Sequence, residues 1–265
     1  MYMNGNTLDA LLQKVRSAAA TAGEIMLEDR KRPARVRFKG RIDLVTETDL
    51  AVEEFLKGEL GRLLPEATFL AEESSGSEAL SELTWVIDPL DGTTNFAHGL
   101  PFVATAIGLW QKDRIVLGLI NCPFLGECFS ARLGGGAFCN DTAIQVSGAD
   151  NLERSLVATG FPYIFENRHE LIMARLDRVL PRAQGVRRCG AAAIDLAFVA
   201  AGRFDAYYEG WLAPWDAAAG WLLVEEAGGK VSDLSGAPYH LRSQHLLASN
   251  GLVHGAFTDL LGDLV

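Results

Sequence analysis

The sequence predicts an α+β protein whose helices and sheets pack as layers of one compact unit. Three observations carry this. Residues 7–31 repeat their apolar side chains at three- and four-residue steps, the period of a helix with one buried face. Between about 102 and 140 the period changes to that of short strands joined by turns. The second half then mixes both periods, with no internal repeat and no low-complexity linker. With 265 residues, 49% of them apolar, the chain can form a sizeable core in one large domain or two closely joined ones. A division near 140–150 gives an N-terminal half, 1–145, and a C-terminal half, 146–265.

The first helix turns Leu8, Leu11, Leu12, Val15, Ala18, Ala19, Ala22, Ile25 and Met26 inward, and Pro33 ends it. Arg35 to Lys39 alternates as a short strand before Gly40. Thr46 or Thr48 caps a helix over about 49–64, with Leu50, Phe55, Leu56, Leu60 and Leu63 inward. Phe69-Leu70 is a short strand running into Glu72-Glu73. Phe102–Trp110, Ile115–Asn121 and Glu127–Arg132 form an antiparallel meander, with Lys112-Asp113 at one turn. Gly134-Gly135-Gly136 lacks the spacing of a phosphate loop and has no helix after it, so it reads as a turn or bulge. Strands follow at 155–159, near 186, at 204–208, near 229–233 and at 245–249. Helices follow at 166–180, 191–201, 214–227 and from 252.

Composition excludes several functions. The net charge of −10 argues against nucleic acid as the main partner, because phosphate backbones need a basic surface. An acidic protein that handles an anionic substrate needs a cation in between. Cys122, Cys128, Cys139 and Cys189 form no C-x-x-C pair and read as buried, reduced thiols of a cytoplasmic protein. Asp9, Lys14, Arg16, Glu24 and Glu28 interrupt the Ala-rich start, so it is no secretory signal, and no run is apolar enough to span a bilayer.

The chemistry concentrates in Trp85-Val86-Ile87-Asp88-Pro89-Leu90-Asp91-Gly92-Thr93-Thr94-Asn95-Phe96. An apolar strand ends here in two carboxylates, and an unpaired buried charge is costly. Asp88 and Asp91 can grip one or two metal ions. Gly92-Thr93 can start a helix whose free N–H groups face an anion. Asp49, Glu72 and Asp216 also sit at strand ends or helix starts. Asp216 alone would read equally well as an N-cap, and Glu72, beside Glu73, as a solvated carboxylate. Asp88 with Asp91 resists that reading, since one carboxylate suffices for a cap. Three or four carboxylates and a carbonyl suit two hard cations such as Mg²⁺. The five histidines, His98, His169, His240, His245 and His254, are scattered, and none matches a Ser or Cys nucleophile. Direct attack by water is therefore favoured over a covalent intermediate.

These residues resemble the inositol monophosphatase family of Mg²⁺-dependent, lithium-sensitive phosphatases. The resemblance runs through Asp43-Leu44-Val45-Thr46-Glu47-Thr48-Asp49, Phe69-Leu70-Ala71-Glu72-Glu73-Ser74, Asp88 to Phe96, Gly190-Ala191-Ala192, Tyr208-Glu209 and Trp215-Asp216, in the family's order and over nearly the whole chain. It implies a layered αβαβα sandwich, a homodimer and two or three Mg²⁺ ions per site. By resemblance, Glu72, Asp88 and the Leu90 carbonyl hold the first metal, and Asp88, Asp91 and Asp216 the second. Glu72 and Thr93 orient the attacking water, and Asp49 holds the Thr93 hydroxyl. Gly92 and Thr93 N–H groups bind phosphate. Asp91, Gly190, Ala192, Glu209 and Asp216 contact the substrate, and Lys39 resembles a mobile-loop lysine near the metals.

The implied substrate is inositol 1-phosphate or a similar cyclitol or sugar phosphate. Nucleotide 3′-phosphatase relatives carry Lys where Thr94 stands, and classical fructose bisphosphatases carry serines in place of Thr93-Thr94. Histidinol-phosphatase relatives carry an acid at Ala191. That residue also lacks the hydroxyl many inositol phosphatases have there, which widens the candidates to fructose 1,6-bisphosphate and other sugar phosphates. A non-catalytic binding or regulatory protein could lose Glu72, Asp91 or Thr93, and this chain keeps all three.

Overall fold

The computed structural model describes residues 2–32, 36–38, 44–74, 80–162 and 168–265. The first layer is helical. Helix α1 spans Gly5–Asp29, with Asn4 at its N-cap accepting the Thr7 N–H at 3.0 Å. A two-stranded ribbon, β1 (Val36–Phe38) against β2 (Leu44–Thr46), leads into α2 (Glu47–Leu63). The Asp49 carboxylate reaches back to the Thr46 N–H at 2.9 Å, so Thr46 is the start signal of α2. Leu50 departs from the expectation. It is exposed, whereas Val52, Leu56 and Leu60, which recur at four-residue steps, are fully buried: two residues from Val52, Leu50 lies about 200° around the helix from that stripe.

A seven-stranded sheet forms the second layer: β3 (Thr68–Ala71), β4 (Leu83–Asp91), β5 (Ala104–Gln111), β6 (Arg114–Cys122), β7 (Glu127–Arg132), β8 (Ala137–Cys139) and β9 (Thr142–Ile144), in that spatial order. β3 runs parallel to β4, and the later pairs are antiparallel. The short α3 (Thr93–Ala97) follows β4 directly. β8 and β9 escape the sequence reading because each has three residues. Their link, Asn140-Asp141, has φ 46° and 68°, a two-residue hairpin turn. The three glycines at 134–136 do form a turn. Their N–H groups donate to the Glu226 carboxylate at 2.7, 3.0 and 2.8 Å, so they hold an anion that belongs to the chain itself.

The fourth layer is a second sheet built from β10 (Leu156–Thr159), β11 (Gly185–Arg187), β12 (Ala206–Gly210), β13 (Lys230–Ser232) and β14 (His245–Ser249), ordered β11-β10-β12-β14-β13. Helices α5 (Ala192–Ala200) and α6 (Pro214–Glu226) lie between the two sheets, and α4 (His169–Val179) and α7 (His254–Leu261) cover the outer face. Three cores fill the four interfaces between the five layers, the central one lying on both faces of the α5/α6 layer. One joins α1 and α2 to the large sheet, through Val15, Met26, Leu56, Trp85 and Ile87. The central one surrounds Leu196, Leu223, Phe129 and Tyr207. The outer one packs Phe257 and Leu261 on Val157 and Leu247. The result is an αβαβα sandwich.

Two glycines set how closely α6 approaches the large sheet. Gly108 and Gly118 face each other across β5 and β6, directly under Ala218 and Ala219. A Cβ at Gly118 would stand 2.7 Å from the Ala219 carbonyl oxygen. This near contact fixes the height of α6, and with it the residue at its front, Asp216. Among the described residues the cysteines are unpaired. Cys122 is buried, as expected, but Cys128, Cys139 and Cys189 are only half-buried.

Candidate active site

The site lies where the end of β4 meets the N-termini of α2, α5 and α6. Asp88 and Asp91 are three residues apart, which in a regular strand points side chains to opposite faces. The β4–β5 register shifts between them: Asp88 pairs with Ala106 and Asp91 with Ala104, so β4 carries one extra residue. Pro89 sits in this bulge, its carbonyl accepting the Thr105 hydroxyl at 3.0 Å. Leu90 consequently joins Trp85 and Ile87 in the core under α1 and α2. Asp91 returns to the side of Asp88, and the two carboxylates face one interior.

Each carboxylate is held by backbone. Asp88 Oδ1 accepts the Leu90 N–H at 3.0 Å. Asp91 Oδ2 accepts the Ala193 N–H at 2.7 Å, filling an open donor at the start of α5. Asp216 Oδ2 accepts the Ala213 N–H at 2.7 Å. Asp216 thus does serve as a capping group of α6, while its charge faces the other acids. Glu72, half-buried, is set by its own N–H donating to the Ile87 carbonyl at 3.2 Å, just beyond β3.

Burial and mutual repulsion dominate the electrostatics. Burial first, then the charges of Glu72, Asp91, Asp216 and Asp49, push Asp88 well above the ordinary carboxylate range. Burial, then Asp91 and Glu72, do the same to Asp216. Asp91 is pushed up to about 7, again chiefly by burial. Burial also raises Asp49. Such a set of hard oxygen donors has the chemistry a divalent cation would offset. Among the described residues, no three acidic, histidine or cysteine side chains close around one point as they are oriented here. The backbone hydrogen bonds above hold three of the carboxylates by one oxygen each.

Thr93, the first residue of α3, donates its hydroxyl to Asp49 Oδ1 at 3.0 Å, with the Leu90 carbonyl 3.2 Å away. Gly92 precedes it at φ 88°, where a Cβ would lie 2.6 Å from the Phe102 carbonyl. Asn95, a residue of the motif with no role assigned from sequence, clamps two loops together. Its amide donates to the carbonyls of Phe102 at 2.8 Å, Cys189 at 2.9 Å and Gly190 at 3.3 Å. Gly190, at φ 85°, and Ala192 thereby stand beside the Gly92 turn at the start of α5. On β12, Glu209 is pushed up to about 7 by burial, against the Tyr207 hydrogen bond and the charge of Arg188. Lys39 and Asp43 lie outside the described residues. Sequence reasoning also missed Asp195, a buried acid on α5 pushed well above its ordinary value by burial; its helical position among alanines gave no signal.

Comparisons with known proteins agree with this geometry. Residues 8–264 match the model of the inositol monophosphatase family. An inositol-1-monophosphatase of Mesorhizobium japonicum is 39% identical over 250 residues, which span 93% of this chain and 94% of that protein. The extragenic suppressor protein SuhB of Bartonella henselae superposes with a TM-score of 0.90 at 38% identity, covering 95% of this chain and 98% of that one. An inositol monophosphatase of Anabaena (Nostoc) sp. PCC 7120 gives 0.86 at 37% identity, covering 97% and 96%.

Proposed function

The chain belongs to the inositol monophosphatase family, and from that premise we propose that this phosphatase hydrolyses inositol 1-phosphate, or a closely similar cyclitol or sugar phosphate, to the free alcohol and phosphate. The observation that carries the reading is the set of buried, mutually repelling carboxylates Asp88, Asp91 and Asp216, beside Glu72 and the Thr93–Asp49 pair. Their residues would hold Mg²⁺: Glu72, Asp88 and the Leu90 carbonyl one ion, Asp88, Asp91 and Asp216 another. Bound there, the cation supplies the positive charge that draws in a phosphate and stabilises charge developing on its oxygens.

The protein's own groups do the positioning. The Thr93 hydroxyl spends its proton on Asp49, so its lone pairs are left to accept from a water. Glu72 takes the second proton direction of that water, which aligns it with phosphorus opposite the leaving oxygen. Asp49 stays in place because Thr46 also donates to it through its N–H. The Gly92-Thr93 backbone faces the phosphate oxygens. Glu209, with Gly190 and Ala192 beside it, receives the hydroxyls of the alcohol, and Thr94 brings no cation for a second phosphate. By the same family reading we propose lithium inhibition, a homodimer and a cytoplasmic location. Among the described residues no helix is long and apolar enough to cross a membrane.

The test is a panel of kcat/KM values with Mg²⁺: inositol 1-phosphate, fructose 1,6-bisphosphate, histidinol phosphate and 3′-phosphoadenosine 5′-phosphate. Preference for the first supports the reading. Preference for the last overturns the role given to Thr94.

A further inference from the structure

Glu209 does not stand alone on β12. Tyr207, two residues earlier, shares its face of the strand. Tyr207 is wholly buried, and its hydroxyl donates to Glu209 Oε2 at 2.5 Å. Gly160, just past β10, closes the other side: a Cβ built there would fall 1.8 Å from Glu209 Oε2 and 2.5 Å from Oε1. The carboxylate therefore lies directly on the Gly160 backbone, in space that any side chain at 160 would occupy. We propose that Tyr207 and Gly160 are positioning residues, which together hold the Glu209 carboxylate in the orientation that accepts substrate hydroxyls and so set the preference for polyol phosphates. The proposal rests on the reading of Glu209 as a substrate contact.

The physical argument is preorganisation. A free glutamate has three rotatable bonds, and fixing it at the moment of binding would subtract from affinity. Here the fixing is done in advance by a rigid, buried phenol on one side and by contact with backbone on the other. With Oε2 committed to Tyr207, Oε1 is left to accept from the substrate. A phosphate ester without neighbouring hydroxyls draws no benefit from this arrangement. The pair thus acts on discrimination between substrates, through a group that never meets the phosphorus.

The experiment compares Tyr207→Phe and Gly160→Ala with the parent enzyme on inositol 1-phosphate and on p-nitrophenyl phosphate. The ratio of the two kcat/KM values should fall about tenfold in each variant, the loss of one hydrogen bond to a charged group, and should fall through KM rather than kcat. The double variant Tyr207→Phe with Glu209→Ala should match Glu209→Ala alone. An equal fall on both substrates, or losses that multiply in the double variant, would overturn the proposal. Crystal structures give an independent decision: the Glu209 carboxylate should leave Gly160 in Tyr207→Phe, and its staying in place refutes the positioning role whatever the substrate. If Glu209→Ala leaves the parent's substrate ratio unchanged, the reading of Glu209 itself fails, and the structures still decide the seat of its carboxylate.

Discussion

Two buried polar regions of this molecule are built on opposite principles. Across one end of the strands of the second sheet, where β10 and β12 begin and β14 finishes, each of these groups finds a complementary partner. Asp205 accepts the Leu156 N–H at 2.6 Å and the Ser147 hydroxyl. Asn250 donates to Ser147 Oγ at 2.9 Å and the Ala149 carbonyl at 2.7 Å, and accepts the N–H groups of Leu252 and Val253. His254 lies between the hydroxyls of Ser232 and Ser249, 2.8 Å from each. At the ends of β4 and α6, by contrast, like charges are brought together and repel. A satisfied network rigidifies a fold. A buried repulsion costs stability and persists where something outside the chain offsets it, so the contrast separates structure from chemistry.

Asp91→Asn is the sharpest way to break that comparison. Asparagine can still accept the Ala193 N–H, so the change removes charge and little else. Mg²⁺-dependent phosphate release should fall at least about a thousandfold, the scale of losing electrostatic stabilisation in a site. Near-parental turnover would sink the assignment of Asp91 to metal binding. Thr93→Ala should follow at about a hundredfold, with partial recovery in Thr93→Ser, since only the hydroxyl links Asp49 to the water. If serine recovers nothing, the methyl packing of Thr93 and not its hydroxyl matters.

On the satisfied side the expected loss is of stability. Asn250→Ala strands several donors and acceptors and should lower unfolding free energy by about 2–3 kcal/mol, read by urea denaturation, with kcat per folded molecule unchanged. Gly118→Ala tests the link between the two kinds of region. Its new methyl meets the Ala219 carbonyl and must lift α6, so it should cost about 1–3 kcal/mol and also reduce activity by displacing Asp216. Lost stability with full activity would show that Asp216 does not follow the seat of α6.

The same contrast explains what could be read from the sequence. Helices α1 and α2 and the meander β5–β7 announce themselves by period, because each buries one face against one partner layer. The acids at 49, 72, 88, 91 and 216 stand out because charges ending apolar runs are rare. What was hidden depends on register and distance. The bulge at Pro89 that turns Asp91 back beside Asp88 has no periodic signature, since one inserted residue looks like any other. The Gly108–Gly118 pair reads as two weak strand positions until α6 is laid upon it. Asn95 gives no hint of its three carbonyl partners, because two of them lie about a hundred residues away. The Asn140-Asp141 turn was visible in principle, but three-residue strands carry too little pattern beside it.

The pH dependence of the metal-free protein divides the two regions by sign. Asp91 titrates at about 7 when folded against 3.8 ordinarily, so between those values the folded state keeps a proton the unfolded chain has released. Its contribution is full at low pH and is lost as pH rises toward 7. His254 is pushed from 6.5 down to about 4, chiefly by burial, so its contribution is full above the ordinary value and is lost as pH falls toward 4. Each whole proton of difference corresponds to about 1.4 kcal/mol per pH unit. Asp91→Asn should therefore gain stability over the parent at pH 7, and the gain should shrink toward pH 4. His254→Gln should show its largest deficit at pH 7, and the deficit should also shrink toward pH 4. Urea denaturation of chelator-treated protein at several pH values between 4 and 7 reads both curves. Adding Mg²⁺ at pH 7 should raise the parent above Asp91→Asn and leave the His254→Gln deficit as it was. If Asp91→Asn is instead the less stable protein at pH 7 without metal, the hydrogen bond to Ala193 outweighs the repulsion, and the acidic cluster is a satisfied network after all.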